Sequence, residues 1–261
     1  MQTATNPLRN PDLAMTLFRS ALFFVWFAAT SAMMAIVCVP LLALPRGAAW
    51  VGRHWSLLTL WGLRVIAGTG FEVRGARPPN GVLVAVKHMS MWDTMAIYAL
   101  LDNPAIIFKK SLKRIPFYGW YLSRARMIAI DRDGKAGALR DMAAAARAEI
   151  ALGRSIAIFP EGTRKRPGAP PDYKSGVAGL YGQLDIACHP VALNSGLYWT
   201  GPMGFVKRKG TIIVEFLPPI PPGLPRRAFM PRLEAEIEGA TARLVEEGRR
   251  QLAGHTMVVA T

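Results

Sequence analysis

Acidic residues are scarce in this sequence. Its 261 residues include 17 Asp and Glu against 32 Lys and Arg, which gives a formal net charge of +15 at pH 7. Such a charge is high for an enzyme of neutral solutes and indicates a polyanionic partner: nucleic acid, an anionic membrane surface or a phosphorylated substrate. The mean hydropathy of +0.21 is high for a protein that binds nucleic acid. The combination favours membrane lipid, and we expect no nucleic-acid partner.

Cysteine and histidine are also rare. The two cysteines, Cys38 and Cys188, lie in apolar stretches and form no disulfide framework, which fits a reducing cytoplasmic setting. The four histidines are scattered, without the short spacing of paired metal ligands. We therefore expect neither a structural nor a catalytic metal. The Gly-x-Ser-x-Gly pattern of many serine hydrolases is missing as well.

Residues 20–45 contain no charged side chain. The part without proline is about twenty residues long, roughly 30 Å as a helix, which is enough to cross a hydrocarbon core. Residues 48–68 combine tryptophans with arginines, the composition of a helix at a membrane interface. Either the first helix spans the membrane or the two form a hairpin buried in one leaflet. We favour the hairpin, because a domain that acts on lipid needs the interface; a cleaved signal peptide, the other alternative, would have a shorter apolar core.

From residue 70 onward, strand and helix patterns alternate. Strands are predicted at residues 71–73, 82–86, 105–108, 127–130, 155–159, 186–192 and 211–216. Helices are predicted at residues 95–101, 136–151, 177–183 and 230–252, and a hairpin with a basic tip at residues 205–211. This alternation predicts an α/β fold with a mostly parallel sheet covered by helices. We divide the chain into an N-terminal membrane-associated helical segment, residues 1–69, and an α/β domain, residues 70–261, that ends in an amphipathic helix.

His88 and Asp93 follow one of the predicted strands. The strand of residues 82–86 is apolar and comes after the turn signal of residues 78–81. Open α/β sheets bind their ligands at the carboxyl ends of such strands. The spacing lets the carboxylate reach the imidazole across a strand-to-helix turn, fix one tautomer and leave the other ring nitrogen free to take a proton. A helix-capping Asp beside an unrelated His is the alternative.

The predicted strand of residues 155–159 runs into a turn made of Glu161, Gly162, Thr163 and Arg164. Gly162 lets the backbone approach a ligand closely, and Arg164 offers a planar fork suited to phosphate oxygens. Glu161 either orients Arg164 or accepts a hydrogen bond from a substrate hydroxyl. The turn predicts a site for a charged ligand; a Glu–Arg pair that only holds the turn is the alternative.

Residues 87–93 resemble the His-x4-Asp block of the glycerolipid acyltransferases, and residues 159–164 resemble their Phe-Pro-Glu-Gly-Thr-Arg block. Two weaker blocks lie in the expected order at residues 108–132 and 189–196. Because all four blocks occur in the family's order over residues 71–224, coincidence is a poor explanation. The chain most resembles the branch of bacterial 1-acyl-sn-glycerol-3-phosphate acyltransferases, also called lysophosphatidic acid acyltransferases.

The resemblance implies an enzyme of phospholipid biosynthesis with a glycerolipid acyltransferase-like fold. It would move a fatty acyl chain from a thioester of acyl-carrier protein or coenzyme A to the free 2-hydroxyl of lysophosphatidic acid, giving phosphatidic acid. It implies no cofactor, no covalent acyl-enzyme, and a location at the cytoplasmic (inner) membrane with the catalytic domain on the cytoplasmic face. His88 would be the base and Asp93 its partner, while Lys109 and Lys110 would attract anionic lipid or the acidic carrier protein. Substrate binding is expected at Arg132, Glu161, Gly162, Thr163 and Arg164.

Four residues depart from the family pattern. Lys87 and Met89 flank the histidine where Asn and Gln are common, Arg126 stands where a small residue is usual, and Lys165 replaces a frequent Ser. These changes add charge or bulk around the acceptor and keep its identity open, so one alternative is another lysolipid, such as one with an amino-acid headgroup. Two further alternatives are a hydrolase that uses water as acceptor and a non-enzymatic, basic, membrane-anchored binding protein.

Overall fold

Two helices at the N-terminal end precede the sheet. The computed structural model describes residues 11–131, 135–200 and 204–258. Helix α1 (Pro11–Val37) is joined by a 3₁₀ turn (Val39–Ala43) to helix α2 (Gly47–Gly62), which runs on into a π-helical turn (Leu63–Ala67). Among the described residues, α1 is the one helix long and apolar enough to cross a membrane, and 22% of its most apolar window is buried.

A seven-stranded sheet forms the centre of the molecule. Its strands are β1 (Thr69–Arg74), β2 (Leu83–Val86), β3 (Ala105–Lys109), β4 (Ile128–Ile130), β5 (Ile156–Ile158), β6 (Cys188–Leu193) and β7 (Gly210–Phe216). The order across the sheet is β1-β7-β6-β2-β5-β3-β4. The five strands from β6 to β4 are parallel, whereas β7 is antiparallel to β6 and β1 is parallel to β7. The predicted fold class is therefore confirmed, and each strand lies within two residues of its predicted bounds.

Helices cover both faces of the sheet. Those in the α/β region are α3 (Trp92–Leu100), α4 (Tyr118–Arg124), α5 (Lys135–Ile150), α6 (Gly176–Leu184) and α7 (Arg226–Val258). All four residues of β2 are buried, and successive side chains of a strand point to opposite faces. Val84 and Val86 join a core with residues of α1, α2 and α3, whereas Leu83 and Ala85 join a core with residues of α5, α6 and α7.

One face of α1 packs on the α/β region. Phe23 is buried and meets Trp199 edge to face, with ring centroids 5.6 Å apart. The hydroxyl oxygen of Ser20 accepts the backbone N–H of Lys207 at 2.9 Å. The other face of α1 exposes large apolar side chains, among them Phe18, Leu22, Val25, Met33 and Ile36. Because these five recur at helical spacing, they form one apolar stripe on the surface.

The hairpin predicted at residues 205–211 is wrong. Lys207 pairs with Trp199 in an isolated antiparallel bridge, and only 3% of Lys207 is exposed. Its ammonium donates to the carbonyl of Gly204 and lies 4.2 Å from the centre of the Trp199 ring. Burial lowers the pKa of Lys207 to about 8, and the carbonyl and the aromatic face replace part of the lost hydration. This lysine therefore does not form a solvated basic tip.

Candidate active site

Three neighbouring parallel strands end side by side at one edge of the sheet. Strand β2 lies between β5 and β6, and all three run in the same direction. The residues that follow them are 87–93, 159–166 and 194–197. Both sequence motifs therefore meet at the carboxyl edge of the sheet, where open α/β folds bind their ligands.

His88 and Asp93 are in contact at this edge. His88 Nδ1 is 3.0 Å from Asp93 Oδ2, and the same oxygen accepts the backbone N–H groups of Met89 at 2.6 Å and Ser90 at 2.8 Å. Asp93 is fully buried in the first turn of α3, where the helix dipole stabilises a carboxylate. It therefore holds both the backbone of the turn before α3 and the imidazole. With Nδ1–H donating to Asp93, the neutral ring keeps Nε2 as its basic nitrogen.

Two buried serines fix the other carboxylate oxygen. Asp93 Oδ1 accepts the hydroxyl of Ser195, and the Ser90 hydroxyl lies 2.9 Å from Ser195 Oγ and 3.2 Å from Asp93 Oδ1. Asp93 is thus hydrogen-bonded through both oxygens and has one stable orientation. Sequence reasoning did not single out Ser195. Its only signal was a hydroxyl shortly after a predicted buried strand, within the weakest of the four blocks.

Phe159 and Lys165 connect the two motifs directly. The ring of Phe159 stacks on His88, with centroids 4.1 Å apart and an angle of 28° between the planes. The backbone N–H of Lys165 donates to the carbonyl of His88 at 2.8 Å. The imidazole is therefore held from one side by a carboxylate and from another by an aromatic face. The stacking of Phe159 joins residues far apart in the chain and had no local signal.

The turn after β5 is held by a buried ion pair. Glu161 is 1% exposed, and its Oε1 accepts a hydrogen bond from Lys87 Nζ at 2.9 Å. Burial raises the pKa of the Glu161 carboxyl, and the Lys87 ammonium opposes that shift. Gly162 follows with a φ of +65°, a left-handed conformation that glycine adopts without steric strain. The charged partner of Glu161 at this turn is thus a lysine from the end of β2.

Arg164 lies half-buried in the same turn, and Thr163 beside it is exposed. The guanidinium is near the phenol of Tyr118, at the start of α4. Burial raises the pKa of Tyr118, and the charge of Arg164 lowers it in part. The turn after β5 therefore carries a cation next to the start of α4.

The other predicted cations have different surroundings. Lys109 and Lys110 are exposed where β3 ends. Lys110 Nζ is 3.7 Å from Asp131 Oδ2, and the two side chains are 67% and 50% exposed, so this pair contributes little to stability. Arg132 lies outside the described residues. Strand β4, which precedes it, is parallel to β3 and ends at the same edge.

The departures from the family pattern do not add free cations to the acceptor side. Lys87 is buried in the ion pair with Glu161. Arg126 adopts a left-handed conformation with φ of 55° and pairs with Glu149 at 2.8 Å. Lys165 Nζ lies 3.6 Å from Oδ2 of Asp172. The expectation that these three residues load the acceptor site with charge is therefore not supported by their contacts.

An apolar cavity of about 380 Å³ lies between the N-terminal helices and the sheet. Its walls come from α1, α2, α3, β3 and α4 and include Trp55, Met95, Tyr98, Phe108 and Tyr121. Thr94 and Met95, which also line it, follow Asp93 directly in α3. One wall of the cavity is therefore continuous with the helical turn that holds His88.

Within residues 11–131, 135–200 and 204–258, no group of three or more His, Cys, Asp or Glu side chains could hold a metal ion. Cys188 is buried in β6, and burial raises the pKa of its thiol. A buried thiol of this kind does not supply a nucleophilic thiolate.

Comparison with known proteins gives consistent matches. A family model described as Acyltransferase matches residues 70–194. A 1-acyl-sn-glycerol-3-phosphate acyltransferase of Pseudomonas aeruginosa is 30% identical over 233 residues, which are 88% of this chain and 87% of that protein. A 1-acyl-sn-glycerol-3-phosphate acyltransferase alpha of Homo sapiens is 27% identical over 78% of this chain and 72% of its own length.

A solved structure shares the fold. The crystal structure of a 1-acyl-sn-glycerophosphate (LPA) acyltransferase from Thermotoga maritima matches with a TM-score of 0.69 over 87% of this chain and 97% of that one, at 16% identity. At such low identity the match shows only that the fold is shared. The bacterial relative at 30% identity over most of both chains, together with the family model, shows the family. The resemblance found in the motifs is confirmed, and this chain belongs to the acyltransferase family.

Proposed function

We propose that this enzyme transfers a fatty acyl group from a thioester donor to the free 2-hydroxyl of lysophosphatidic acid, giving phosphatidic acid. The observation that carries the proposal is the imidazole of His88, fixed through Nδ1 by Asp93 at 3.0 Å, beside the turn of Arg164. The names of the relatives, 1-acyl-sn-glycerol-3-phosphate acyltransferases, support the same acceptor. The thioester of acyl-carrier protein or coenzyme A is a co-substrate, and the reaction uses no cofactor.

The proposed chemistry is direct transfer. An alcohol is a far weaker acid than an imidazolium of pKa about 6.5, so His88 Nε2 takes the hydroxyl proton as the oxygen attacks the thioester carbonyl. The tetrahedral intermediate collapses with cleavage of the carbon–sulfur bond. The proton on Nε2 then passes to the departing thiolate, and His88 is neutral again. Asp93 stabilises the transient imidazolium and keeps the ring oriented.

The acceptor phosphate is the reason for the cations at this edge. Arg164 provides a planar fork that matches phosphate oxygens, and Arg132 is the second proposed ligand. Glu161 holds the turn, while Gly162 and Thr163 offer backbone and hydroxyl groups beside it. The exposed Lys109 and Lys110 are proposed to attract anionic lipid or the acidic donor carrier by their charge.

We assign the apolar cavity of about 380 Å³ to the acyl chain of the donor. Its walls are aromatic and aliphatic, which suits a hydrocarbon, and Thr94 and Met95 bring it next to Asp93. Ala48 lines it from α2 and is 4% exposed. A large side chain at this position would shorten the space available to the chain.

Replacing Ala48 by Phe is expected to shift the donor preference toward shorter chains. Each methylene that no longer fits loses about 0.8 kcal/mol of burial, or roughly a fourfold drop in kcat/KM. The measurement is kcat/KM over a series of thioesters of increasing chain length. Ala144, exposed on α5, gives the matched control Ala144→Phe, which should leave the series unchanged. A uniform drop at all lengths for Ala48→Phe would contradict the assignment.

We propose that the α1–α2 pair holds the enzyme at the cytoplasmic face of the inner membrane, and that residues 1–69 form this membrane segment while residues 70–261 form the catalytic domain. The exposed stripe of α1 supports this, and α2 adds Trp50, Leu57 and Trp61, which are 43–53% exposed. Tryptophan side chains are favoured at the depth of lipid headgroups. An apolar face on a helix already packed on the domain favours insertion into one leaflet.

The double change Leu57→Ser with Trp61→Ser is expected to weaken binding to vesicles of anionic phospholipid. Burial of a large apolar side chain contributes about 1.5–3 kcal/mol, so two losses should reduce partitioning by more than about tenfold. Flotation of the purified full chain with vesicles measures the effect. Leu152, 61% exposed outside the helical pair, supplies the control Leu152→Ser, which should float like the wild type. Equal flotation of the double variant would contradict the proposed surface.

A panel of acceptors tests the proposed function. The purified protein is offered labelled acyl-carrier-protein and coenzyme A thioesters with lysophosphatidic acid, lysolipids of other headgroups and an amino-acid-headgroup lysolipid. We expect lysophosphatidic acid to be acylated with the highest kcat/KM, because its phosphomonoester is the acceptor group with the highest charge. Acylation of another lysolipid with lysophosphatidic acid ignored would refute the acceptor assignment.

A further inference from the structure

Lys87 is the most unusual charged residue near the site. It is 2% exposed, and its ammonium is 2.9 Å from Glu161 Oε1 and 2.7 Å from Glu238 Oε1. The hydroxyl of Tyr173 donates to the same oxygen of Glu238 at 2.8 Å. One buried cation thus joins two carboxylates from different elements. Removing this cation leaves the buried carboxylate of Glu161 without compensation.

The lysine joins the parts of the site that must be mutually aligned. Lys87 directly precedes His88 at the end of β2, and Glu161 precedes Arg164 by three residues in the turn after β5. Side chains alternate along a strand, so Lys87 points to the face of the sheet covered by α7, whereas His88 points to the other. Glu238 belongs to α7. The ammonium therefore links β2, the turn and α7 from behind the reacting groups.

The packing of α7 does not depend on this ion pair alone. Leu233, Ile237 and Leu244 of α7 are fully buried against the sheet. Apolar contacts tolerate small shifts, whereas two charge-assisted hydrogen bonds from one ammonium limit the distances between the elements that they join. The pairing of Lys87 with Glu161 and Glu238 therefore fixes the position of the turn after β5 more than it holds α7 in place.

We propose that Lys87, held by Glu238, is a positioning residue for acyl transfer, which fixes the turn carrying Arg164 relative to His88. The inference rests on the proposed function for its catalytic consequence. Lys87 touches no reacting atom and acts through Glu161.

A second cavity allows the Lys87→Ala variant to be tested by chemical rescue. A space of about 450 Å³ is lined by Lys87, Glu238, Thr241 and Arg249, among others. A small ammonium ion in this space can reach the carboxylates that Lys87→Ala would leave unpaired. Ethylammonium is the probe, with sodium chloride at equal ionic strength and the bulkier tetraethylammonium as controls.

The kinetic test compares variants of the full chain in vesicles, with diacyl lipid as the measured product. Misplacement of the acceptor by about 1 Å predicts a loss of about 100-fold in kcat/KM for lysophosphatidic acid in Lys87→Ala, with KM for the thioester unchanged. Ethylammonium should restore part of the loss, and the two control salts should not. Glu238→Gln, which keeps the shape, should lose activity in the same direction and to a smaller extent.

Glu247→Gln is the matched control. Glu247 is also a carboxylate of α7 in a 2.8 Å ion pair, with Arg74 of β1, away from the site. Its loss should leave kcat/KM as in the wild type. A Lys87→Ala enzyme with wild-type kcat/KM, or a loss that ethylammonium leaves untouched, would overturn the proposal.

Hydrogen exchange gives a readout that does not depend on activity. The N–H of Lys165 donates to the carbonyl of His88 at 2.8 Å and joins the same two segments. Exchange in peptides covering residues 159–166 should rise in Lys87→Ala and fall again with ethylammonium. If the wild type acylated no lysolipid, the proposed function would fail while this result still supported the link. Unchanged exchange in both Lys87→Ala and Glu238→Gln would overturn the link whatever the substrate.

Discussion

Replacing His88 by Ala is expected to lower kcat for acyl transfer by about 10⁴-fold, the upper range for loss of a general base. The imidazole is the group proposed to take the hydroxyl proton, and Asp93 and Phe159 hold its ring in place. Binding of the lysolipid should persist, because its phosphate is proposed to bind Arg164. The measurements are single-turnover rates and equilibrium binding of a non-reactive lysolipid analogue.

The control for this change is another histidine. His54 is exposed on α2, and its Nδ1 lies 2.8 Å from the carbonyl of Trp50. His54→Ala should retain wild-type turnover. Acyl transfer by His88→Ala at a rate near that of the wild type would rule out His88 as the base. A protein that only binds lipid would show no acyl transfer in the wild type, and neither change would alter its lipid binding.

Asp93→Asn should reduce kcat by about 10³–10⁴-fold with little change in KM for the acceptor. Asp93 Oδ2 accepts from the imidazole and from two backbone N–H groups, and Oδ1 accepts from Ser195. An amide has one acceptor oxygen, so its NH₂ must face a donor or the ring. The imidazole then loses its preferred tautomer and the partner that stabilises its charged form.

Two measurements separate this effect from a loss of folding. The nitrogen chemical shifts of the His88 ring should report Nδ1–H in the wild type and a changed tautomer in Asp93→Asn. Thermal unfolding should show that the variant remains folded at the assay temperature, since the core around β2 is apolar and intact. If the tautomer and kcat both stayed as in the wild type, Asp93 would have no role in orienting the base.

Local signals predicted the scaffold of the site well. Strand β2 was predicted because residues 82–86 are an apolar run after a turn signal, and the His88–Asp93 contact because five residues span one strand-to-helix turn. Both features depend on neighbours in the chain. Burial on both sides of a parallel sheet imposes the same apolar pattern that the sequence shows.

The contacts made over long sequence separations were not predictable. The stacking of Phe159 on His88, the hydrogen bond from Ser195 to Asp93 and the pairing of Lys87 with Glu238 depend on the order of strands in the sheet. Predictions made from charge alone were also wrong, because they placed Lys207 on an exposed hairpin tip and the charge of Lys87 around the acceptor. Both lysines are buried and compensated by groups distant in the chain or by backbone carbonyls.

Helix α4 was not predicted from the sequence, for a different reason. It is seven residues long and contains Gly119, where a Cβ would lie 2.1 Å from the carbonyl oxygen of Lys113. Short segments with glycine have weak intrinsic helix propensity. The helix forms where Tyr118 and Tyr121 close the apolar cavity. Packing at the cavity, which no local pattern encodes, therefore accounts for this element.

Product analysis of one reaction tests direct acyl transfer most closely. The purified wild-type chain in vesicles receives a labelled acyl thioester and lysophosphatidic acid, and both lipid products and free thiol are quantified. Transfer through His88 predicts one molecule of labelled phosphatidic acid for each thiol released, with no label retained on the protein. Release of labelled free fatty acid in place of phosphatidic acid, or label bound covalently to the chain, would contradict it.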